Sequence, residues 1–292
     1  MVSGPRLPRI YWINLARSPA RRARMQKALE EHALHAVRIV ASDGRSMAQR
    51  PDGPARIYES IGADGSVATA RDRIRCRADN PLIAACLLSH LRAIRSAYDA
   101  GDECAVFMED DASFELYARW PGDFESVLST LPSHWSALWL GYGDTPRHLD
   151  QLFQLSGWAV PVPQLTLWST VAYVLHRRAM EHVLSRYDRG DLFDVTGFDS
   201  AHEADTLLLR TLTFAEGLAP PHVLRVPMFT FEGADSEIHD ADLRRQRRAR
   251  AFVLAAFDEL ATGTYASRFT LRARIERTAQ RLGGWLRRRA AE

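Results

Sequence analysis

The feature that most constrains the fold is a short apolar run that ends in three consecutive acidic residues. Residues 105–108 are apolar and include a β-branched and an aromatic side chain, which is typical of a buried β-strand. Glu109, Asp110 and Asp111 follow at once. Because side chains alternate along an extended chain, Glu109 and Asp111 are predicted to project to one side and Asp110 to the other. The sequence therefore predicts two carboxylates presented together at the end of an inner strand.

Such a pair of carboxylates is a candidate metal site. Two like charges held a few ångströms apart repel each other unless a cation neutralises them. Carboxylate oxygens are hard ligands that suit Mg²⁺ or Mn²⁺, and such an ion can hold a diphosphate. Two other interpretations remain open, a solvated acidic loop and an Asp111 that only caps the next element.

A βαβ pattern lies near the amino terminus. Residues 10–15 and 36–41 are predicted strands, and Ser18-Pro19 is predicted to begin the helix between them. Parallel strands place their carboxyl ends at one edge of the sheet, where open α/β sheets bind nucleotides. Asn14 and Asp43 are therefore candidate contacts to a base or ribose, although each is also an ordinary turn former.

The strongest predicted helix begins at Asn80-Pro81 and ends at Gly101, because its apolar residues recur at helical spacing. Its first turn is expected beside the acidic strand end, where the helix dipole favours a phosphate. His90 lies on the apolar face and is either a core residue or a ligand. Arg17, Arg21 and Arg22 could face phosphates or simply lie in solvent.

The remaining pattern predicts further strands and helices of an α/β protein. Strands are predicted at 135–143, 158–160, 170–175 and 222–227, and helices at 178–187, 206–212 and 243–260. Residues 45–80 and most of 145–164 are predicted to be long irregular loops.

Composition excludes several classes of protein. Hydrophobic residues at 46% and charged residues at 25% are ordinary globular values, and a net charge of +2 argues against bulk nucleic-acid binding. Three cysteines without a C-x-x-C pair predict neither a disulfide framework nor a zinc site, so a cytoplasmic location is expected. We expect no signal peptide and no membrane span.

The carboxyl-terminal region predicts a separate basic segment. We expect one catalytic domain over residues 1–262 and an amphipathic helical tail over residues 263–292, in which an apolar stripe faces many arginines. Such a tail could contact an anionic membrane surface or pack back on the domain.

Several stretches of the chain occur together and in order in one known family. They are residues 13–22, 41–44, 86–90, 108–111, 172–175, 203–205 and 236–238. Over roughly residues 8–240 the chain resembles glycosyltransferase family 25, which includes bacterial lipooligosaccharide galactosyltransferases and collagen galactosyltransferases.

The resemblance implies a GT-A type fold, a UDP-sugar donor that is usually UDP-galactose, and Mn²⁺ or Mg²⁺ held by Glu109 and Asp111. His239, or less favourably His222, is predicted to complete the metal shell. The predicted contacts to the nucleotide sugar are Asn14, Leu15, Arg17, Asp43, Gly44, Ser89, His90 and Asp110. The predicted acceptor is a saccharide or glycolipid such as lipopolysaccharide, reached from the inner face of the cytoplasmic membrane.

Transfer with inversion needs a carboxylate base on the far side of the sugar. Asp205 is the predicted base, and Asp194 and Asp199 remain open alternatives. Two other functions also remain open, a metal-dependent phosphoester hydrolase and a sugar-nucleotide-binding scaffold without turnover.

Overall fold

The central feature of the fold is a seven-stranded mixed β-sheet. It is seen in a computed structural model that describes residues 5–60, 72–162, 168–197, 203–232 and 243–269. In spatial order the strands are β2 (Ala36–Ala41), β1 (Ile10–Leu15), β6 (Cys104–Glu109), β10 (Trp168–His176), β8 (Ala137–Gly143), β12 (His222–Leu224) and β9 (Ala159–Pro161).

Strand direction decides which residues meet at each edge of this sheet. β1 runs parallel to β2 and β6, whereas β10 runs antiparallel to both β6 and β8. The carboxyl ends of β1, β2 and β6 and the amino end of β10 therefore lie at one edge. The predicted parallel βαβ unit is confirmed, and the acidic residues end an inner strand as expected.

Seven α-helices flank the strands in the described part of the chain. They are α1 (Pro19–Glu31), α2 (Pro81–Asp99), α3 (Phe124–Thr130), α4 (Pro146–Phe153), α5 (Arg177–Tyr187), α6 (Ala204–Thr213) and α7 (Leu243–Ala261). The longest predicted helix is confirmed as α2, which packs on β1, β2 and β6. Its start is fixed by Asn80, whose side-chain oxygen accepts a hydrogen bond from Leu82 N at 2.9 Å.

An aromatic stack crosses the middle of the sheet. Tyr11, Phe107, Tyr173 and Trp139 are successive partners in the strand register of β1, β6, β10 and β8. Their ring centroids are 6.0, 5.3 and 5.5 Å apart in that order. Directly opposed aromatic side chains stabilise paired strands, so this stack joins four strands into one rigid face.

The predicted loop over residues 45–80 is wrong where the structure describes it. β3 (Ala48–Asp52), β4 (Ala55–Glu59) and β5 (Arg73–Cys76) form a second sheet with β11 (Phe193–Asp194). Polar residues dominate these strands, so the alternation of their apolar residues was not recognised in the sequence. Arg75 pairs with both Asp52 and Asp194 across the sheet, so charge pairing replaces much of the apolar pattern.

The predicted loop over residues 145–164 is also partly wrong, because it contains the two-turn helix α4. Phe153 of α4 stacks on Phe252 of α7 with ring centroids 6.0 Å apart. Asp150, also on α4, is buried and accepts hydrogen bonds from Tyr265 and Ser267 at 2.6 and 2.7 Å. A short pairing of β7 (Ala112–Ser113) with β13 (Thr230–Phe231) completes the strands of the described residues.

The predicted fold class is confirmed as α/β, with a mixed central sheet flanked by helices in a Rossmann-like arrangement. None of the helices in the described part of the chain combines the length and the apolar character that crossing a membrane requires. Residues 270–292, which make up most of the predicted basic tail, lie outside the described residues. The domain boundary at residue 262 stays a prediction.

Candidate functional site

A cleft opens at the carboxyl edge of β1, β2 and β6, and the first turns of α2 form its opposite wall. It has a volume of about 120 Å³. One water needs about 10–15 Å³ on this scale, so the cleft accommodates on the order of ten non-hydrogen atoms. The predicted residues that line it are Asn14, Leu15, Arg17, Asp43, Gly44, Ser89, His90, Glu109, Asp110 and Asp111.

Glu109 is held in the cleft through one of its two oxygens. Its Oε1 accepts a hydrogen bond from the hydroxyl of Thr170 and lies 3.5 Å from Nε2 of His90. Burial raises the pKa of Glu109, but His90, Thr170 and the charge of Arg21 outweigh burial and leave the pKa lowered. Glu109 is therefore an ionised carboxylate whose Oε2 takes part in neither contact.

His90 supports Glu109 from the interior. Its side chain is only 1% exposed, and its Nδ1 lies 3.0 Å from the hydroxyl of Tyr173. Burial raises the pKa of Tyr173 well above its usual range, so this hydroxyl keeps its proton, and the tautomer of the imidazole sets which of the two atoms donates. His90 lines the cleft, and its Nε2, 3.5 Å from Oε1 of Glu109, has no hydrogen-bond partner in the described structure.

Asp111 has an incomplete set of partners. Its Oδ2 lies 3.2 Å from Nη2 of Arg21, while Oδ1 is buried and without a hydrogen-bond partner among the described residues. The pKa of Asp111 is raised to about 7 by burial and, next, by the charge of Glu109, while the charge of Arg21 opposes both. A buried carboxylate oxygen with no donor is costly, so this position is prepared for a positively charged ligand.

Asp110 faces β1 and α1 and is held firmly there. It accepts a hydrogen bond of 2.6 Å from Nδ2 of Asn14 and lies 2.8 Å from Nη2 of Arg21. The predicted alternation of the three acids is therefore only partly correct, because Arg21 contacts Asp110 and Asp111 together. β6 ends at Glu109, and the next two residues form a turn in which side chains no longer alternate.

Both polar atoms of the Asn14 amide group are hydrogen-bonded within this network. Its Oδ1 accepts two hydrogen bonds from Arg38, at 3.0 and 2.7 Å, while its Nδ2 donates to Asp110. Asn14 is buried. Its side chain therefore orients Asp110, which differs from the predicted contact to a base or ribose.

The β2 wall of the cleft is tied to α2 and to the turn between β1 and α1. The hydroxyl of Ser89 accepts a hydrogen bond from Ser42 N at 3.0 Å and donates to a backbone oxygen of its own helix. Gly44 packs so closely on the start of α2 that a Cβ atom there would lie 2.7 Å from Cα of Leu82. Nε of Arg17 lies 2.5 Å from Oδ2 of Asp43. Both predicted residues at this wall, Asp43 and Gly44, are thus at the cleft edge.

The predicted base lies outside the lining of the cleft. Oδ2 of Asp205 accepts a hydrogen bond from Ser169 N at 2.7 Å, and its Oδ1 accepts one from Thr206 N at 2.6 Å. Ser169 has a φ of 108°, so Asp205 holds a strained position of β10. A base role for Asp205 stays a prediction.

The other predicted candidates are placed as follows. Asp194 accepts hydrogen bonds from Thr196 N and Oγ1 and pairs with Arg75; burial raises its pKa, but these partners outweigh burial and lower it. His222 is buried in β12, where burial lowers its pKa, and is not part of the described cleft lining. Asp199 and His239 lie outside the described residues.

Two residues of the site were not predicted as members. Thr170 reaches Glu109 because antiparallel β10 begins beside the end of β6, a pairing that no local pattern reveals. Arg21 was considered only as a possible phosphate contact. Its place three residues after the predicted helix start was the available signal, since it puts the side chain on the first turn beside the sheet edge.

A comparison with models of known protein families gives no match, and a comparison with curated proteins gives none. The described residues contain no group of three or more His, Cys, Asp or Glu that could hold a metal ion. Mg²⁺ is commonly held by one or two carboxylates together with substrate phosphates and water, so Glu109 and Asp111 fit a cation that arrives with a diphosphate. The unpartnered Oδ1 of Asp111 supports this fit.

Proposed function

We propose that the protein is a metal-dependent glycosyltransferase that moves a hexose from a UDP-sugar to a saccharide acceptor. The observation that carries the proposal is the pair Glu109 and Asp111, which presents oxygens free of the contacts described above at the carboxyl edge of a Rossmann-like sheet. The order of motifs that resembles glycosyltransferase family 25 supports the same conclusion and favours UDP-galactose and a GT-A type fold.

The cleft suits the diphosphate part of such a donor. It accommodates on the order of ten non-hydrogen atoms, which is about the number in a diphosphate with its cation. The first turns of α2, including Leu82 and Cys86, line the cleft, and the positive end of a helix dipole attracts phosphate. In this proposal the nucleoside and the hexose extend beyond the described lining.

The residues of the site have distinct parts in the proposed reaction. Glu109 and Asp111 would hold Mn²⁺ or Mg²⁺, which neutralises the charge that develops on the departing UDP. Thr170 fixes the orientation of Glu109 by a hydrogen bond, His90 lies 3.5 Å from the same oxygen, and Asn14 fixes Asp110. Asp205 is the proposed base, placed next to the amino end of β10.

The proposed location is the cytoplasmic face of the membrane, where nucleotide sugars are available to a glycolipid acceptor. The three cysteines are free, which agrees with a reducing compartment. The proposed contact with anionic lipid depends on the basic tail beyond residue 269.

The function is tested first by ligand-induced stabilisation. We expect UDP-galactose with Mn²⁺ to raise the melting temperature by about 5 °C or more at saturating concentration, and either ligand alone to have a smaller effect. GDP-mannose serves as the control nucleotide sugar. A chain that responds to no nucleotide sugar in the presence of Mn²⁺ or Mg²⁺ is not a glycosyltransferase of this kind.

The second test separates binding from catalysis. Glu109→Gln should remove the Mn²⁺-dependent part of the UDP response, because a neutral amide is a poor ligand for a hard cation. Release of UDP should increase when a saccharide acceptor is added to the unaltered protein. Hydrolysis of the donor at the same rate with and without acceptor would instead indicate a hydrolase.

A further inference from the structure

One guanidinium is shared by two of the acids at the end of β6. Nη2 of Arg21 lies 2.8 Å from Oδ1 of Asp110 and 3.2 Å from Oδ2 of Asp111. We infer that Arg21 is an exchangeable counter-ion, which neutralises these acids in the protein without metal and turns to the diphosphate of the donor when a divalent cation binds. This inference rests on the proposed function.

The first step of the argument is competition between like charges. A divalent cation bound to Glu109 and Asp111 would lie close to the guanidinium of Arg21, since Arg21 and the cation share Asp111. Their repulsion is strong at the low effective dielectric of a partly buried site. With the cation at Oδ1 of Asp111 and Arg21 at Oδ2, the two positive charges repel each other, and this repulsion favours a move of Arg21 to another partner.

The second step is that Asp110 retains a partner when Arg21 leaves. Oδ2 of Asp110 keeps its 2.6 Å hydrogen bond from Asn14, and the charge of Arg24 also acts on this carboxylate, while Oδ1 gives up its contact with Arg21. The side chain of Arg21 is 24% exposed and extends from the first turn of α1 at the rim of the cleft. A long side chain with one end in solvent can change rotamer at low cost.

The third step identifies the new partner by its chemistry. The planar guanidinium fork matches phosphate oxygens and can bind them in a bidentate manner. A diphosphate held by the cation would bring such oxygens to the rim where Arg21 already lies. His90 independently points to a ligand here, because it lines the cleft, its side chain is 1% exposed, and its Nε2, 3.5 Å from Oε1 of Glu109, has no hydrogen-bond partner in the described structure.

The alternative is that Arg21 is a permanent structural ion pair. A permanent pair would support the acids in every state, so its removal would weaken metal and nucleotide binding together. Exchange predicts effects of opposite sign, because Arg21 competes with the cation but assists the diphosphate.

The experiment measures both affinities separately. Mn²⁺ binding alone is followed through the electron paramagnetic resonance signal of free Mn²⁺, and UDP binding is measured by calorimetry at saturating Mn²⁺, both at about pH 8 where carboxyl groups are ionised. We expect Arg21→Gln to tighten Mn²⁺ binding about tenfold and to weaken UDP binding about tenfold. Arg22→Gln, an equal charge change at an exposed neighbouring position on α1, should shift each affinity less than about twofold.

Arg21→Lys provides a second variant in case the glutamine variant does not fold. It keeps the charge but loses the fork, so we expect nearly unchanged Mn²⁺ binding and UDP binding about threefold weaker. Loss of both affinities in Arg21→Gln, or unchanged UDP affinity in both variants, would overturn the exchange while leaving the proposed function intact. Absence of any Mn²⁺ or UDP binding by the unaltered protein would overturn both.

Discussion

Asp150 on α4 is buried and the side chain of Asp111, just after β6, is 20% exposed, but the two carboxylates differ most in the donors that their oxygens find. Oδ1 of Asp150 accepts hydrogen bonds from Tyr265 and from Arg268 N, and Oδ2 accepts them from Ser267 and Gln154, all between 2.6 and 2.9 Å. Asp111 shares one guanidinium with Asp110 and leaves Oδ1 without a donor.

The difference separates a structural carboxylate from a candidate functional one. The donors around Asp150 come from the protein itself, and together they fasten the segment after α7 to α4. Asp111 shares Arg21 with Asp110 and has no donor for Oδ1, and the two residues before it, Glu109 and Asp110, are acids of the same charge. A buried polar group that lacks a hydrogen-bond partner lowers the stability of the fold. Such a cost persists most readily where a bound ligand supplies the missing contact.

The largest expected effect concerns ligand binding. Asp111→Asn should abolish Mn²⁺-dependent UDP binding and lower hexose transfer on the order of 10³-fold, because the loss of a metal ligand removes several kcal/mol of charge stabilisation. Calorimetry and an assay of UDP release measure the two effects. Asp150→Asn is the matched control and should keep UDP affinity within about twofold. Equal losses in both variants would contradict the distinction between the two aspartates.

The next effect concerns stability, where the change at Asp150 is expected to cost more than the change at Asp111. Asp150→Ala should lower the free energy of unfolding by about 3 kcal/mol, because it leaves several buried donors without an acceptor. Asp111→Ala should leave it unchanged or higher, since this change relieves repulsion with Glu109. Guanidinium chloride denaturation of the two variants gives the comparison. A larger loss in Asp111→Ala than in Asp150→Ala would show that Asp111 is the structural residue.

A third prediction tests how tightly the cleft wall is packed. Gly44→Ala should cost about 2 kcal/mol, because the new Cβ would lie 2.7 Å from both Cα of Leu82 and the carbonyl oxygen of Pro81. Separation of β2 from α2 should also weaken UDP binding. Gly197→Ala is the control, since nothing lies within 4 Å of its added Cβ. Thermal denaturation and UDP titration of the pair check the difference, and similar behaviour of both variants would contradict close packing at Gly44.

The smallest effect is a pH dependence that belongs to Asp111. Folding raises the pKa of Asp111 from 3.8 to about 7, mainly through burial. The unfolded chain loses this proton near pH 4 and the folded chain keeps it to about pH 7, so stability falls as pH rises between these values. Glu109, whose pKa is lowered, contributes stability that is lost only below about pH 4.5.

We therefore expect the unaltered protein to lose on the order of 2 kcal/mol between about pH 5 and pH 7 through this group. Denaturation at several pH values, with the protein kept free of divalent cations, measures the slope. Asp111→Asn should show a flatter profile over this range. An identical slope in both proteins would exclude Asp111 as its source.

The sequence predicted those parts of the fold whose pattern is local. β1, β2, β6 and α2 combine apolar periodicity with recognisable ends, and the structure confirms each of them. β5 was missed because its residues alternate arginine with apolar side chains that are buried only when the second sheet forms. α4 was missed because two turns between prolines give too short a pattern.

The same limit applies to the candidate site. The three acids and the ends of β1 and β2 were predicted at one edge, because parallel strands bring them there. Thr170 could not be predicted, since its contact with Glu109 spans 61 residues and depends on the antiparallel insertion of β10. The commitment of Asn14 to Asp110 spans 96 residues and was equally hidden.

The aromatic stack across the sheet connects the cleft to the core, so the residues of both are expected to constrain each other in evolution. Tyr173 packs between Phe107 and Trp139 while its hydroxyl reaches His90, so one side chain serves the interior and the cleft at once. Replacement of Tyr173 by phenylalanine would keep the stack but release the imidazole. In related chains, the residues at positions 90 and 173 are therefore expected to covary. The aromatic residues at positions 107 and 139 are expected to change only when those two positions change.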